Sequence, residues 1–515
     1  MYGHTNQLIM KKLLVCLFFS VYCYSLLAQP LKARIKIDIE RTTGDIDSLL
    51  YGNFTEHLGR CIYGGIYDPS SSKADQFGFR KDVMQATKEL NVSILRWPGG
   101  NFVSGYNWMD GIGPVAKRPR KKDLAWHTVE PNLVGTDEFL QYAERIGTQP
   151  YLPVNLGTGT WDDARNWVEY CNADTGTYYA NLRAKNGRVK PYKVKYWGLG
   201  NEMDGWWQMG ARNAEDYGKF ALQAAKLMKW VDPEVKLTVC GMSFWNGSTT
   251  EWNRTVLNHL KGYADYISLH YYFGDRTNNY LEYMASMKEP ENEIMQTEAV
   301  INEARFKHRI ETPVYIAFDE YNVWYRTGEE EKLEEKYNLQ DALAIASFLN
   351  SLVRNAHIVK MANMAQLVNV IAPMMITNDT LWKQTIYYPM QLFATNCYGA
   401  SVNSFVQSDT FNTEKYKGVP YLDISSAYDA KSQTLIMNVV NRHPSKQIEA
   451  AIENQYGKPD KKAVAYEIYS PGLKDENSVS EQKVRTVERP FNINDRNFTY
   501  TFSPHSFTQL VIKVR

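Results

Sequence analysis

Between about residues 46 and 385, short apolar runs alternate with longer segments whose apolar residues recur every three or four positions. The first kind of run fits a buried strand and the second an amphipathic helix, so their alternation is that of βα units. Eight strands are expected, at Ser48–Phe54, Ser93–Trp97, Gln149–Asn155, Lys193–Leu199, Lys236–Cys240, Tyr266–His270, Val314–Phe318 and Lys360–Asn369. Helices are expected between them, among them Asp137–Ile146, Ala214–Val231 and Leu339–Ala356. In the last of these, Leu339, Leu343, Ala346, Leu349, Leu352 and Val353 share one face. Eight such repeats over roughly 340 residues predict an α/β fold, a (β/α)8 TIM barrel with extended loops. A doubly wound sheet usually has fewer strands and a glycine-rich phosphate turn, and no such turn is found.

After about residue 386 the period changes. Tyr421–Tyr428, Thr434–Asn441, Ala463–Tyr469, Asn497–Phe502 and Phe507–Val514 read as strands divided by polar turns, with no convincing helix among them. The expectation is a C-terminal antiparallel β-sandwich over 386–515. The alternating segment Arg34–Ile39, within residues 29–45, is expected to add a strand to it. The charge run Glu329–Lys336 reads as a solvated loop or helix end, with a lid beside Glu320 as the rival reading.

Composition narrows the function more than the fold. Lys and Arg (58) nearly balance Asp and Glu (57), which gives no electrostatic case for nucleic acid or an anionic membrane. Aromatics make up 13% of the chain, with 13 Trp and 35 Tyr. That surplus suits either a crowded core or stacking platforms for sugars. Met10-Lys11-Lys12 before the apolar run Leu13–Leu27 has the form of a signal peptide covering residues 1–28, with Met10 as a possible start. It predicts an exported protein, periplasmic or extracellular and without a lipid anchor. Cys61, Cys171, Cys240 and Cys397, outside that leader, match no metal spacing and are expected to be buried thiols.

The strand ends carry the candidate chemistry. In a barrel of this type, the carboxyl ends of the strands and the loops after them build the active site. Here those ends offer Asn53 to His57, Arg96 to Asn101, Asn155, Asn201-Glu202, His270 to Tyr272, Glu320, and Gln366 with Asn369. Buried polar groups without partners are costly, so this convergence is poorly explained by packing. Glu202 ends the fourth strand and Glu320 the seventh, each with Trp close by. Two carboxyl groups facing each other across the barrel mouth predict a retaining glycosidase, with Glu202 as acid/base and Glu320 as nucleophile. Glu202 is expected to titrate above Glu320, since the nearby anion disfavours a second charge. The structural rival is a pair of salt bridges at the rim. For Glu56 the rival is an ion pair with Arg60 or Arg96.

The motifs Tyr51-Gly52-Asn53-Phe54-Thr55-Glu56-His57-Leu58-Gly59-Arg60, Arg96-Trp97-Pro98-Gly99-Gly100-Asn101-Phe102, Trp197-Gly198-Leu199-Gly200-Asn201-Glu202-Met203-Asp204-Gly205, Asp319-Glu320-Tyr321-Asn322-Val323-Trp324 and Ala365-Gln366-Leu367-Val368-Asn369-Val370 resemble the α-L-arabinofuranosidases of glycoside hydrolase family 51. The resemblance runs from about Ile46 to the C-terminus. It implies that Glu56, Asn101, Asn201, Tyr272 and Gln366 hold the hydroxyls of an arabinofuranose. It also implies that Trp324 flanks the sugar and that Arg96, with His270, braces the site from behind. A jelly-roll-like sandwich, no required metal or cofactor, and a homo-oligomer follow from the same likeness. The expected partner is an arabinofuranosyl oligosaccharide or polysaccharide. The family usually has Trp where this chain has Tyr321. A β-xylosidase or endo-β-glucanase on the same scaffold is the nearest rival, and a catalytically silent carbohydrate-binding protein is the rival from another class.

Overall fold

The computed structural model describes residues 30–325 and 333–515. The proposed leader therefore lies outside the described residues, as does part of the Glu329–Lys336 charge run. Of that run, Glu334 pairs with Arg60 at 2.7 Å, while Glu335 is buried and accepts from the Tyr325 amide at 2.8 Å.

A long strand, β1 (Leu31–Asp45), precedes the barrel. The barrel strands follow as β2 (Gly52–Phe54), β3 (Ile94–Arg96), β4 (Gln149–Val154) and β5 (Tyr196–Leu199), then β6 (Lys236–Val239), β7 (Tyr266–Phe273), β8 (Tyr315–Val323) and β9 (Val359–Ala365). They close in the order β8-β9-β2-β3-β4-β5-β6-β7, each pair parallel. All eight expected strands are present, most within a few residues of the expected bounds. Leu49, Ile94, Tyr151, Tyr196, Tyr266, Ala317 and Met361 form one buried cluster contributed by these strands and the turn before β2. The outer helices include α1 (Lys81–Glu89), α2 (Thr136–Ile146), α3 (Trp161–Asn172), α4 (Tyr178–Lys185) and α5 (Ala214–Val231). They continue with α6 (Thr249–His259), α7 (Tyr280–Ser286), α8 (Glu289–His308), α9 (Leu339–Arg354) and α10 (Tyr387–Asn396).

One irregularity in β8 positions the site. Its register against β7 slips between Ala317 and Glu320, and against β9 between Phe318 and Tyr321. Neighbours on a regular strand point to opposite faces. A bulge breaks that alternation and re-aims side chains, so consecutive Asp319 and Glu320 both reach His270.

The longer strands after the barrel are β10 (Ala400–Gln407), β11 (Leu422–Asp429), β12 (Thr434–Asn441) and β13 (Ile448–Asn454), with β14 (Lys462–Ile468), β15 (Thr486–Asn492), β16 (Asn497–Phe502) and β17 (Ser506–Lys513). With β1 they form a nine-stranded, mostly antiparallel sheet in the order β15-β14-β17-β12-β11-β10-β1-β13-β16. The pair β1–β13 runs parallel. Its own apolar core includes Ile35, Ile37, Met437, Val439, Ile452 and Leu510. The sheet packs on the barrel through α9. Asn350 Nδ2 donates to Asp423 at 3.1 Å, Ser425 Oγ donates to Asn350 at 2.6 Å, and Arg354 pairs with Asp423 at 2.9 Å. That cover explains why α9 is buried nearly all round, Gln340, Ser347 and Asn350 included, and not on its apolar face alone. The four cysteines are free and buried, as expected.

Candidate active site

Glu202 and Glu320 meet at His270. An oxygen of each carboxylate and a ring nitrogen of His270 lie within 4.8 Å of one another. Glu320 stands beside His270 in the β8–β7 register. Glu202 leaves the end of β5 through a tight turn, with Gly200 at φ 86° and Glu202 itself at φ 44°. A left-handed backbone is uncommon for a residue with a side chain and is held only where its surroundings over-determine it. Here the Gly205 amide donates to the Glu202 carbonyl at 2.8 Å, and both carboxylate oxygens are bonded.

The two carboxylates sit in different surroundings. Glu320 Oε1 accepts from Arg96 Nη1 at 2.7 Å, and its Oε2 from the Tyr272 hydroxyl at 2.9 Å. Glu202 Oε2 accepts from Trp207 Nε1 at 2.6 Å, and its Oε1 faces His270 Nδ1 at 2.9 Å. The other ring nitrogen, Nε2, faces Asp319 Oδ1 at 3.1 Å. Burial opposes a charge on His270, but Glu320, Asp319 and Glu202 outweigh it and hold the imidazole well above its ordinary pKa. With carboxylates at both nitrogens, the protonated ring donates twice.

In the free site the surroundings act on the two glutamates in opposite directions. Burial raises both. For Glu202, His270 and Trp207 outweigh burial and bring it below the ordinary carboxylate value. For Glu320, burial and the Glu202 charge exceed the help from His270 and Arg96, and it lies above that value. The sequence argument weighed one anion against the other and left out the cation between them.

Arg96 is fully buried and spans the site. Its Nη1 also donates to the Asp319 carbonyl at 3.1 Å, and its Nη2 donates to Asn201 Oδ1 at 2.6 Å. That leaves Asn201 Nδ2 buried and without a partner among the described residues. Glu56 is buried and paired with neither Arg60 nor Arg96. Its Oε1 accepts from the Phe102 amide and from Trp126 Nε1, both at 3.0 Å, and its Oε2 from Gln366 Nε2 at 3.1 Å. Burial pushes its carboxyl up to about 7. Gln366 Oε1 in turn accepts from the Glu56 amide at 2.9 Å. Trp324 meets Tyr272 edge-on, ring centres 5.3 Å apart. Asn101 is half-buried and opens the turn Asn101–Gly105, and no hydrogen bond among the described residues joins its amide to the others.

These groups converge over Gly100. A Cβ there would lie 3.0 Å from Glu320 Oε1, 3.4 Å from Glu56 Oε2 and 3.5 Å from Asn201 Nδ2. The absent side chain is thus the space in which a small ligand would touch all three. Sequence reasoning missed Trp126, because it lies in a long irregular loop with no periodicity to place it. Of the two Trp residues close to Glu202, Trp207 is a donor to its carboxylate and Trp206 is exposed. Tyr321 faces away from the site, stacked on Phe348 at 4.4 Å, so its departure from the usual Trp is a matter of core packing.

Known proteins are similar to this one over most of the chain. Residues 86–289 match the family described as the alpha-L-arabinofuranosidase 1 domain, and residues 319–506 match the alpha-L-arabinofuranosidase C-terminal domain. A Bacillus subtilis protein named intracellular exo-alpha-(1->5)-L-arabinofuranosidase 1 is 44% identical over 80% of this chain and 85% of its own. A Thermotoga maritima alpha-L-arabinofuranosidase, solved as an arabinose complex, is 36% identical with a TM-score of 0.88, covering 94% of this chain and 100% of its own. A family 51 alpha-L-arabinofuranosidase from Bifidobacterium longum is 32% identical with the same TM-score of 0.88, again over 94% of this chain and 100% of its own. The chain belongs to the α-L-arabinofuranosidases of glycoside hydrolase family 51. It is a glycoside hydrolase, and these matches do not favour the xylosidase, glucanase or silent-binder readings. They do overturn the predicted export to the periplasm or the exterior. The B. subtilis relative and two others, 41% and 39% identical, are named as intracellular proteins.

Proposed function

We propose that the chain removes terminal non-reducing α-L-arabinofuranosyl residues from arabinan- or arabinoxylan-type oligosaccharides, with retention of configuration. One observation carries the mechanism: carboxylate oxygens of Glu202 and Glu320 approach within 4.8 Å. Retaining pairs stand about 5–5.5 Å apart, whereas inverting pairs leave a gap of about 6.5–9.5 Å for a water. Glu320, held by Arg96 and Tyr272, attacks the anomeric carbon as the glycosidic bond breaks. Glu202 gives its proton to the departing oxygen. Water then attacks the glycosyl ester, Glu202 takes that water's proton, and Glu320 leaves as a carboxylate. The proton bridging Glu202 and His270 supplies Glu202 before the first step. The unpaired Asn201 Nδ2 donates to the hydroxyl beside the anomeric carbon. Glu56, Gln366 and Asn101 hold the remaining hydroxyls, and Trp324 with Tyr272 walls the ring. The chemistry belongs to residues 46–385, supported by the sheet domain of residues 30–45 and 386–515, in a homo-oligomer.

The test is Glu202→Ala on an aryl arabinofuranoside with a good leaving group. Such a group departs without protonation, while deglycosylation still needs a base. Added azide should restore turnover and yield an arabinosyl azide of retained configuration. Equal losses on good and poor leaving groups, with no azide product, would remove Glu202 from the acid/base role.

A further inference from the structure

Beyond the carboxylates lies an aromatic surface that packing does not explain. Trp206 is 88% exposed and Phe244 is 68% exposed, against 41% for Trp207. Single exposed apolar residues are ordinary, but large rings exposed on adjoining turns beside the reacting groups mark a contact surface. They are tied to the reacting groups. Trp207 donates to Glu202, and Trp206 meets Trp207 edge-on with ring centres 5.9 Å apart, so it is the next ring outward from the acid. Gly205 permits that pairing, since a Cβ there would lie 2.5 Å from the Trp207 ring. The residue before Phe244 is laced to the same turn, with Ser243 Oγ donating to Asp204 Oδ2 at 2.8 Å and its amide at 3.1 Å.

We propose that Trp206 and Phe244 form a stacking platform for the second sugar of the leaving group, which makes the enzyme responsive to the length of the chain it trims. The inference rests on Glu202 being the acid. The leaving oxygen then departs on the Glu202 side, its own sugar lies against Trp207, and the following sugar reaches Trp206 and Phe244. Sugar rings present C–H faces flanked by hydroxyls, and an exposed indole offers the flat apolar partner such a face requires. The turn is braced through Asp204, so little ordering is needed when the sugar arrives.

The experiment compares linear arabinofuranosyl oligosaccharides of two, three and four sugars on the wild-type protein, Trp206→Ala, Trp206→Phe and Phe244→Ala, with sedimentation run in parallel. The wild type should show kcat/KM at least about fivefold higher for the trisaccharide than for the disaccharide, mainly through KM, as expected for one aromatic stacking contact. Trp206→Ala should bring that ratio close to one, Phe244→Ala should lower it, and Trp206→Phe should keep most of it. A ratio unaltered in Trp206→Ala overturns the platform. So does an unaltered ratio accompanied by a change of oligomeric state, which would give the rings to a contact between copies. A wild type that cleaves arabinofuranosides with no dependence on length defeats this inference alone. A wild type that cleaves none defeats the assigned function instead.

Discussion

Glu56 shows how much of the site depends on single hydrogen-bonding atoms. Its carboxylate already accepts from Phe102, Trp126 and Gln366, and a sugar hydroxyl would be one more donor to the same two oxygens. Glu56→Gln keeps the shape but turns one oxygen into an amino group facing a donor. We expect kcat/KM on an arabinofuranoside to fall at least tenfold, roughly 1.4 kcal/mol of transition-state binding. The melting temperature should fall as well, because donor now faces donor in a buried pocket at a cost of about 1–3 kcal/mol. Sequence alone did not reveal the three local donors. Near-normal kinetics in Glu56→Gln would place Glu56 in the scaffold. The same reasoning explains what else was legible. Glu202, Glu320 and the residues around them end hydrophobic runs, and a strand end in a barrel has a known location. Trp126 and the bridging role of Asp319 were not legible, because a loop contact and a bulge leave no periodic trace.

At the scale of elements, α8 carries the least expected group. Glu293 is fully buried near the N-terminal end of this helix, and neither carboxyl oxygen has a hydrogen-bond partner among the described residues. Burial pushes its pKa from 4.5 up to about 8, with the charge on His270 pulling modestly the other way. An acid with a raised folded pKa binds its proton more tightly when folded. Its contribution to stability therefore declines as pH rises from about 4.5 to about 8 and is level beyond. The decline is up to about 1.4 kcal/mol per pH unit. Glu293→Met, of similar volume, removes the buried carboxyl, so its melting temperature should exceed that of the wild type. The gap should widen between pH 5 and pH 8. A gap that stays constant with pH would mean that Glu293 is ionised and partnered in the folded protein. No sequence pattern distinguished this glutamate, because α8 alternates charged and apolar residues with hardly any amphipathic bias.

At the scale of the whole molecule, the first and last described strands lie in the same sheet with the barrel between. β1 joins β10 on one side and the β13–β16 pair on the other, so it is the only link between those two parts of the sheet among the described residues. Sequence showed β1 as an alternating segment, but not that it would be a central strand, since partners so distant in sequence leave no local signal. Ile35, Ile37 and Ile39 of β1 are buried in the sheet's core. Fully burying such a side chain stabilises by about 1.5–3 kcal/mol. Their joint loss would be of the same order as the whole stability of a typical domain, about 5–15 kcal/mol. Removal would also leave the hydrogen-bonding edges of β10 and β13 open, and unpaired edges promote aggregation. The sheet is bound to α9 through Asp423, Asn350 and Arg354, and α9 follows directly on the barrel strand that bears Glu320. A variant beginning at Ile46 retains every residue assigned to catalysis, yet it should accumulate as aggregate and give little soluble, active enzyme. Soluble yield, gel filtration and turnover of an aryl arabinofuranoside test this together. A soluble and fully active Ile46 variant would mean that the barrel holds its catalytic geometry without the sheet, and that β1 contributes only to the sheet's own stability.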